Sequence, residues 1–241
     1  MPRKRGSARA SVGGPRSLYR KYGKRGLDIL LSGGALILLS PLYLALALLV
    51  RSKLGAPVIF CQRRPGLNGR PFPLYKFRSM TDARDANGAL LPDDRRLTAF
   101  GAALRSTSLD ELPELWNVLR GDMSLVGPRP QLIRDMAFFD ERTMRRQSAP
   151  PGLTGLAQIN GRNNISWEDK FAWDLRYIER VTFAGDLRII WRTLCKIFTR
   201  ADITAAGMAT AEDYGDYLLR TGKITAAEYK RVLAEMAGTE I

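Results

Sequence analysis

From Ile29 to Val50 the chain runs ILLSGGALILLSPLYLALALLV, 22 residues without a charge, which is long enough to cross a bilayer as a helix. Both flanks are basic. Lys21, Lys24 and Arg25 precede the run, and Arg51, Lys53, Arg63, Arg64, Arg70, Lys76 and Arg78 follow it before the first acid, Asp82. Positive flanks mark the cytoplasmic side, so both ends read as cytoplasmic. Pro41 lies mid-run, where it removes a backbone hydrogen bond and bends the helix, and Ser40 is placed to bond a carbonyl the bend releases. A helix that enters, turns at Ser40-Pro41 and leaves on the same side satisfies both observations. A kinked span with its ends on opposite sides is the alternative the pattern leaves open. Asp28, costly in hydrocarbon, is expected to pair with Lys24 or Arg25 at the interface.

Beyond the apolar run the periodicity changes. Residues 57–80 alternate short apolar pieces around Pro65-Gly66-Leu67-Asn68-Gly69, which predicts a small β-hairpin. Residues 82–94 read as a polar loop broken at Asn87-Gly88 and Pro92. Helices are predicted over 97–104, 108–120, 132–147 and 167–180, and over 187–199 as a basic amphipathic helix suited to a membrane surface. After Arg200 the chain turns to Ala, Thr and acids, and Thr225 with Glu228 forms a capping-box pattern opening a last helix. Two short helices, with packing or self-association as their role, are read for residues 201–241. The predicted class is therefore α+β, mostly helical.

Composition narrows the chemistry. Lys and Arg number 38 against 24 Asp and Glu, a formal charge of +14, which favours phosphorylated substrates, acidic lipid or nucleic acid. Residues 1–20 form a basic arm interrupted by Gly13, Gly14 and Pro15. A membrane-tethered nucleic-acid binder is one reading of that charge, but no helix-turn-helix spacing or stacking-aromatic motif accompanies it. Cys61 and Cys195 fit neither a disulfide framework nor a metal-ligand spacing and are expected to be buried thiols in a reducing compartment. The chain has no histidine, which excludes Ser/His and Cys/His nucleophile pairs and most zinc sites. Chemistry here must use carboxylates, lysine, tyrosine or a hard metal ion.

The densest polar punctuation is RSTSLDELPELWNVLRGDMSLVGPRP at 105–130. Ser108 with Glu111 fits a capping box, and acids in a first turn complement the helix dipole, so a purely structural reading of the segment is open. The functional reading is that a helix start beside Arg105 and Arg129 gathers positive potential for a diphosphate. An ionised Asp there can act as a nucleophile, and neighbouring acids can hold Mg²⁺ against phosphate oxygens.

Taken together, KRGLD at 24–28, the Ser40-Pro41 step, RPGLNG at 64–69, YKFRSM at 75–80, RDANGALLPDDRRL at 84–97, the 105–130 segment and PGLTGLAQINGRN at 151–163 resemble the bacterial sugar transferases, specifically the small monotopic phosphoglycosyl transferases. The resemblance implies a re-entrant membrane helix over 21–53 kinked at Ser40 and Pro41, a cytoplasmic catalytic domain over 54–200, and a place on the cytoplasmic face of the bacterial inner membrane, on anionic lipid. It implies transfer of a sugar-1-phosphate from a UDP-sugar to undecaprenyl phosphate, with release of UMP through a covalent phosphosugar intermediate. Asp110 is the implied nucleophile, and Glu111, with Asp110, the implied Mg²⁺ ligand. Lys76, Arg105, Arg129 and Asp174 are implied phosphate or substrate contacts. UDP-N,N′-diacetylbacillosamine or another N-acetylated sugar is the first donor implied, and galactose- or glucose-1-phosphate transfer to the same carrier is the alternative. The arm 1–20 and the tail 201–241 carry no transferred role.

Overall fold

The computed structural model describes residues 18–161, 165–199 and 212–237. Most of the expected basic arm, and the end of the PGLTGLAQINGRN run, lie outside the described residues. A wide helical turn, Tyr19–Gly23, leads into α1 (Lys24–Leu38) and, past Leu39, α2 (Ser40–Leu54). The hairpin β1 (Ile59–Pro65) and β2 (Pro71–Phe77) follows, then short helices α3 (Asp93–Arg96) and α4 (Ala99–Ser106), a 3₁₀ turn at Leu109–Glu111, and α5 (Glu114–Arg120). Next come β3 (Ser124–Val126), α6 (Glu141–Met144), β4 (Gly152–Thr154) and α7 (Leu156–Ile159), then the longer α8 (Trp167–Glu179) and α9 (Phe183–Thr199). Helices α10 (Tyr214–Arg220) and α11 (Ala226–Ala237) complete the described chain. The architecture is mostly helical with a small β-hairpin, as the patterning predicts.

Among the described residues no single helix is long and apolar enough to cross a membrane, but Tyr19–Leu38 and Ser40–Leu54 together are, bent by 63° at Leu39. The cause of the bend is local. Pro41 has no N–H to give to the carbonyl of Ile37, and the Ser40 hydroxyl donates to that oxygen instead at 2.8 Å. Helix α1 is apolar on its outside and polar on its inside. Leu30, Ile37 and Leu38 are exposed, while Lys24, Asp28 and Ser32, one turn apart along one face, are buried against the protein.

The buried polar face is fully engaged. Lys24 pairs with Asp186 of α9 at 2.7 Å, and the same carboxylate accepts the hydroxyls of Tyr19 at 2.7 Å and Tyr177 at 2.9 Å. Arg25 donates to the carbonyls of Val118 and Leu119, both at 2.6 Å, capping the C-terminal end of α5 with positive charge. Asp28 does not pair with Lys24 or Arg25 as expected. Both cations are taken, and its carboxylate accepts the Ser124 hydroxyl at 3.0 Å and the Leu125 N–H at 2.9 Å.

The hairpin is antiparallel, in register from Ile59 opposite Phe77 to Pro65 opposite Pro71. Phe72 and Leu74 point into the main core with Leu115, Val118, Met123, Val126, Ile159 and Leu175. Phe77 joins a second cluster with Leu46, Val50, Leu54 and Leu104, which seats the C-terminal half of α2 on the rest of the protein. A two-stranded parallel ladder, β3 with β4, was not foreseen. It requires Gly127 and Gly152, because a Cβ at either would stand 2.4 Å or 2.0 Å from facing backbone.

Three further expectations are corrected. The helix over 108–120 is broken: Ser108 is left-handed (φ 56°) and caps nothing, and α5 starts only after Pro113. The helix over 132–147 is three pieces, 3₁₀ turns at Arg134–Phe138 and Arg145–Ser148 around α6, because Asp140 caps a new helix by accepting the Thr143 N–H at 2.7 Å. Cys61 and Cys195 are exposed rather than buried, one on the outer strand of the hairpin and one on α9. Arg78, just past β2, is buried, with bonds to the carbonyls of Met80 and Ala56.

Candidate active site

The broken stretch 107–113 is where the candidate site is built. The left-handed turn at Ser108 swings Leu109–Glu111 across the end of β2, and Pro113 prevents those residues from joining α5. Asn117, fully buried on α5, accepts the Tyr75 N–H at 3.1 Å and donates to the Pro73 carbonyl at 2.7 Å, so α5 is stitched to the edge of β2. That stitch brings Lys76 Nζ to 2.9 Å from Glu111 Oε1 and 3.0 Å from Glu114 Oε1. The second contact lacks hydrogen-bond alignment. Arg129, just past β3, reaches Glu111 Oε1 at 2.7 Å. Arg105 donates to the Ser79 hydroxyl at 2.9 Å, an approach permitted by Gly101, whose Cβ would stand 1.8 Å from the Ser79 carbonyl.

The three carboxylates differ in their electrostatics. Burial, with Glu111 beside it, pushes the Asp110 carboxyl up to about 6, against the pull of Lys76, Arg105 and Arg129. Burial would also raise Glu111, but Arg129 and Lys76 outweigh it and hold that group well below the usual carboxylate range. Burial pushes Glu114 up to about 7 despite Lys76. One carboxylate is thus locked as an ion, while its neighbour Asp110 ionises just below neutrality and keeps a more basic oxygen.

Asp110, Glu111, Lys76, Arg105, Arg129 and Asp174 all line one cleft of about 1670 Å³. Asp174 lines the cleft and is held in place by a further cation, Arg146. Its Oδ2 takes Arg146 Nε at 2.8 Å and Nη2 at 2.7 Å, and Arg146 Nη2 also donates to the Arg129 carbonyl at 2.9 Å. Ser40 and Pro41 stand apart from the cleft, at the bend. Sequence reasoning missed Glu114, Arg64, Arg146 and Gln158. A second acid three residues after Glu111 was a legible signal for Glu114; the other three are assembled by packing across the chain. Among the described residues, Arg64 Nε and both amide atoms of Gln158 are buried without hydrogen-bond partners, and burial next to Arg129 depresses Arg64 to about 10.

Among the described residues no cluster of three or more acids or cysteines is arranged to hold a metal ion. Mg²⁺ commonly takes one or two carboxylates and completes its shell with water and phosphate oxygens. Asp110 with Glu111 is a donor set of that size, on a cleft wall with room for phosphates.

Glu114 offers a stability test. Its folded pKa lies above its unfolded one, so the neutral form suits the native state and stability is lost as pH rises from about 4.5 to about 7. Glu114→Gln removes that liability, on the order of 1–3 kcal/mol at pH 8 and close to nothing below about pH 4. At roughly 2–4 °C per kcal/mol, thermal melts should show a gain at pH 8 that vanishes in acid. A loss at pH 8 would mean that Glu114 serves as an ion.

A family model described as bacterial sugar transferase matches residues 19–200. The chain is 52% identical over 165 residues to the uncharacterized sugar transferase EpsL of Bacillus subtilis, covering 68% of this chain and 82% of that protein. It is 42% identical over 185 residues to the UDP-glucose:undecaprenyl-phosphate glucose-1-phosphate transferase of Klebsiella pneumoniae, covering 73% of this chain and 40% of that protein. With the undecaprenyl-phosphate galactose phosphotransferase of Salmonella typhimurium it shares 38% identity over 199 residues, 76% of this chain and 41% of that one.

Proposed function

The chain belongs to the bacterial sugar transferase family, as an enzyme of the phosphoglycosyl transferase class, and from that premise we propose that it moves a hexose-1-phosphate from UDP-glucose or UDP-galactose to undecaprenyl phosphate at the cytoplasmic face of the inner membrane. The observation that carries this reading is that Asp110 and Glu111 stand side by side in one cleft with Lys76, Arg105 and Arg129, two of which, Lys76 and Arg129, grip Glu111 and leave Asp110 without an ion-pair partner among the described residues. The relatives' names favour a plain hexose over the N,N′-diacetylbacillosamine suggested by the sequence resemblance.

In the first step the Asp110 carboxylate oxygen attacks the phosphorus next to the sugar. The bond from that phosphorus to the bridging oxygen breaks, and UMP leaves with the electron pair. The enzyme is left with an acyl phosphate that carries the sugar. In the second step an oxygen of the carrier phosphate attacks the same phosphorus. The bond to Asp110 breaks, the carboxylate is restored, and the product is a polyprenyl diphosphate sugar. Lys76, Arg105 and Arg129 line the cleft where negative charge accumulates. Asp110 and Glu111 would hold Mg²⁺, which supplies charge neutralisation on phosphate oxygens so that an anion can approach an anion.

The inverted polarity of α1 supports a membrane seat, since exposed leucines around a polar interior suit an apolar surround. The 63° bend with basic flanks supports a re-entrant course. Helix α9 shows exposed Leu187, Trp191 and Leu194 beside Arg188 and Arg192, a composition suited to a bilayer surface.

The test is UMP release by detergent-solubilised protein with Mg²⁺, across UDP-glucose, UDP-galactose and N-acetylated UDP-sugars, with and without undecaprenyl phosphate. Sustained release only with the carrier, abolished by chelation and strongest with a UDP-hexose, is the expected result. No release with any donor would overturn the reading.

A further inference from the structure

Residues 212–220 lie beyond the stretch matched by the family model, yet Glu212, Asp213, Tyr217 and Arg220 line the same cleft as Asp110. The tail was read as serving packing or self-association; these residues put it on one wall of the cleft. That wall is firmly held. The Tyr214 N–H donates to Asp135 at 3.0 Å, its ring packs edge-on against Phe171 at 4.9 Å, Leu218 is buried, and Gly215 is close enough to Phe138 that a Cβ would stand 2.7 Å from the ring. Arg134 pairs with Asp213. Asp135 also takes the Leu132 N–H at 3.3 Å, so the wall is fastened to the segment that follows Arg129.

The edge this wall presents differs from the phosphate pole. Glu212 holds Arg220 through two bonds, 2.7 Å and 2.8 Å, which neutralises the guanidinium in a planar fork. The Arg220 guanidinium lies 5.6 Å from the Tyr217 ring centroid, and the Tyr217 hydroxyl donates to Glu168 at 2.8 Å. A neutral planar fork beside an aromatic ring offers little to a diphosphate and much to a hydroxyl-rich ring, which presents both C–H faces and paired hydroxyls. Relatives named for glucose and for galactose differ in the hexose they move, and this wall is the part of the cleft that the shared family stretch does not provide.

We infer that the edge formed by Glu212, Tyr217 and Arg220 contacts the hexose of the donor and sets which sugar is accepted. The inference rests on the transferase reading above. Its test compares wild type with Arg220→Ala, Tyr217→Ala and Tyr217→Phe, the last keeping the ring and removing only the hydroxyl. Two quantities are read: kcat/KM for UMP release with UDP-glucose, UDP-galactose and UDP-N-acetylglucosamine, and thermal stabilisation by the same sugars and by UDP alone. The ratio of kcat/KM between the best donor and its competitors should change by about 10-fold, the size of one lost substrate hydrogen bond, while stabilisation by UDP alone holds. An unaltered ratio overturns the inference, whether all donors fall together or none does. Equal loss of UDP stabilisation would place the ribose at this edge and overturn it too. A wild type that releases no UMP from any donor fails the transferase reading instead, and the binding comparison still decides whether this edge senses the sugar.

Discussion

Asp110→Asn is expected to abolish the phosphosugar–enzyme adduct and to lower UMP release by at least about 10³-fold, the scale on which enzymes lose activity when a covalent nucleophile is removed. The choice of Asp110 over its neighbours follows from electrostatics. Glu111 is pinned by Lys76 and Arg129, and an oxygen with both cations on it is a weak nucleophile. Glu114 is buried at the start of α5 and ionises only near pH 7. Asp110 ionises near pH 6 and carries the more available electron pair. Adduct formation should therefore fall as pH drops below about 6, in a chain with no imidazole to account for such a limb. Intact-protein mass after mixing with UDP-hexose, without carrier, reads the adduct directly. Its persistence in the Asn variant would move the nucleophile elsewhere.

The second large effect is structural. Arg146 and Asp174 have side chains only 1% and 3% exposed, and the guanidinium lies over the Phe171 ring at 4.9 Å. Arg146→Met leaves a buried carboxylate without its cation, which costs about 3–5 kcal/mol and should lower the melting temperature by roughly 10 °C. Arg146→Met with Asp174→Leu removes both charges and should recover most of that loss. Arg146→Lys should not, because one ammonium cannot reproduce a fork that holds Asp174 through two nitrogens and the Arg129 carbonyl through one of them. A drop of less than about 2 °C for Arg146→Met would show that water reaches Asp174.

Two capping-box patterns show what was legible in the chain and what was not. At Thr225 and Glu228 the pattern forms: the Thr225 N–H donates to Glu228 at 2.9 Å, and the Glu228 N–H to the Thr225 hydroxyl at 3.2 Å. At Ser108 and Glu111 the same spacing does not form, because Lys76 and Arg129 draw the carboxylate away and Pro113 breaks the helix. Local rules failed where distant residues had a prior claim, and such failures concentrate at functional sites. The hairpin and the bend at Pro41 were readable because their causes are local: alternation and turn residues in one, a missing N–H in the other. The β3–β4 pair was not, since three-residue strands carry no periodicity. Asp110, Glu111, Lys76, Arg105 and Arg129 were named from resemblance and share one cleft, whereas the tail wall depends on packing across more than seventy residues, as between Tyr214 and Asp135.

Tyr43, one turn past the bend, donates its hydroxyl to the carbonyl of Leu112, the residue after Glu111. With the Lys24–Asp186 pair, this ties the bent helix pair α1–α2 to the turn that carries Asp110 and to α9. A chain shortened to begin past Leu54 would lose the support behind the turn that carries Asp110 and leave Asp186 without its cation. The apolar segment is in this sense part of the fold's interior bracing, and its removal is expected to cost stability as well as a surface.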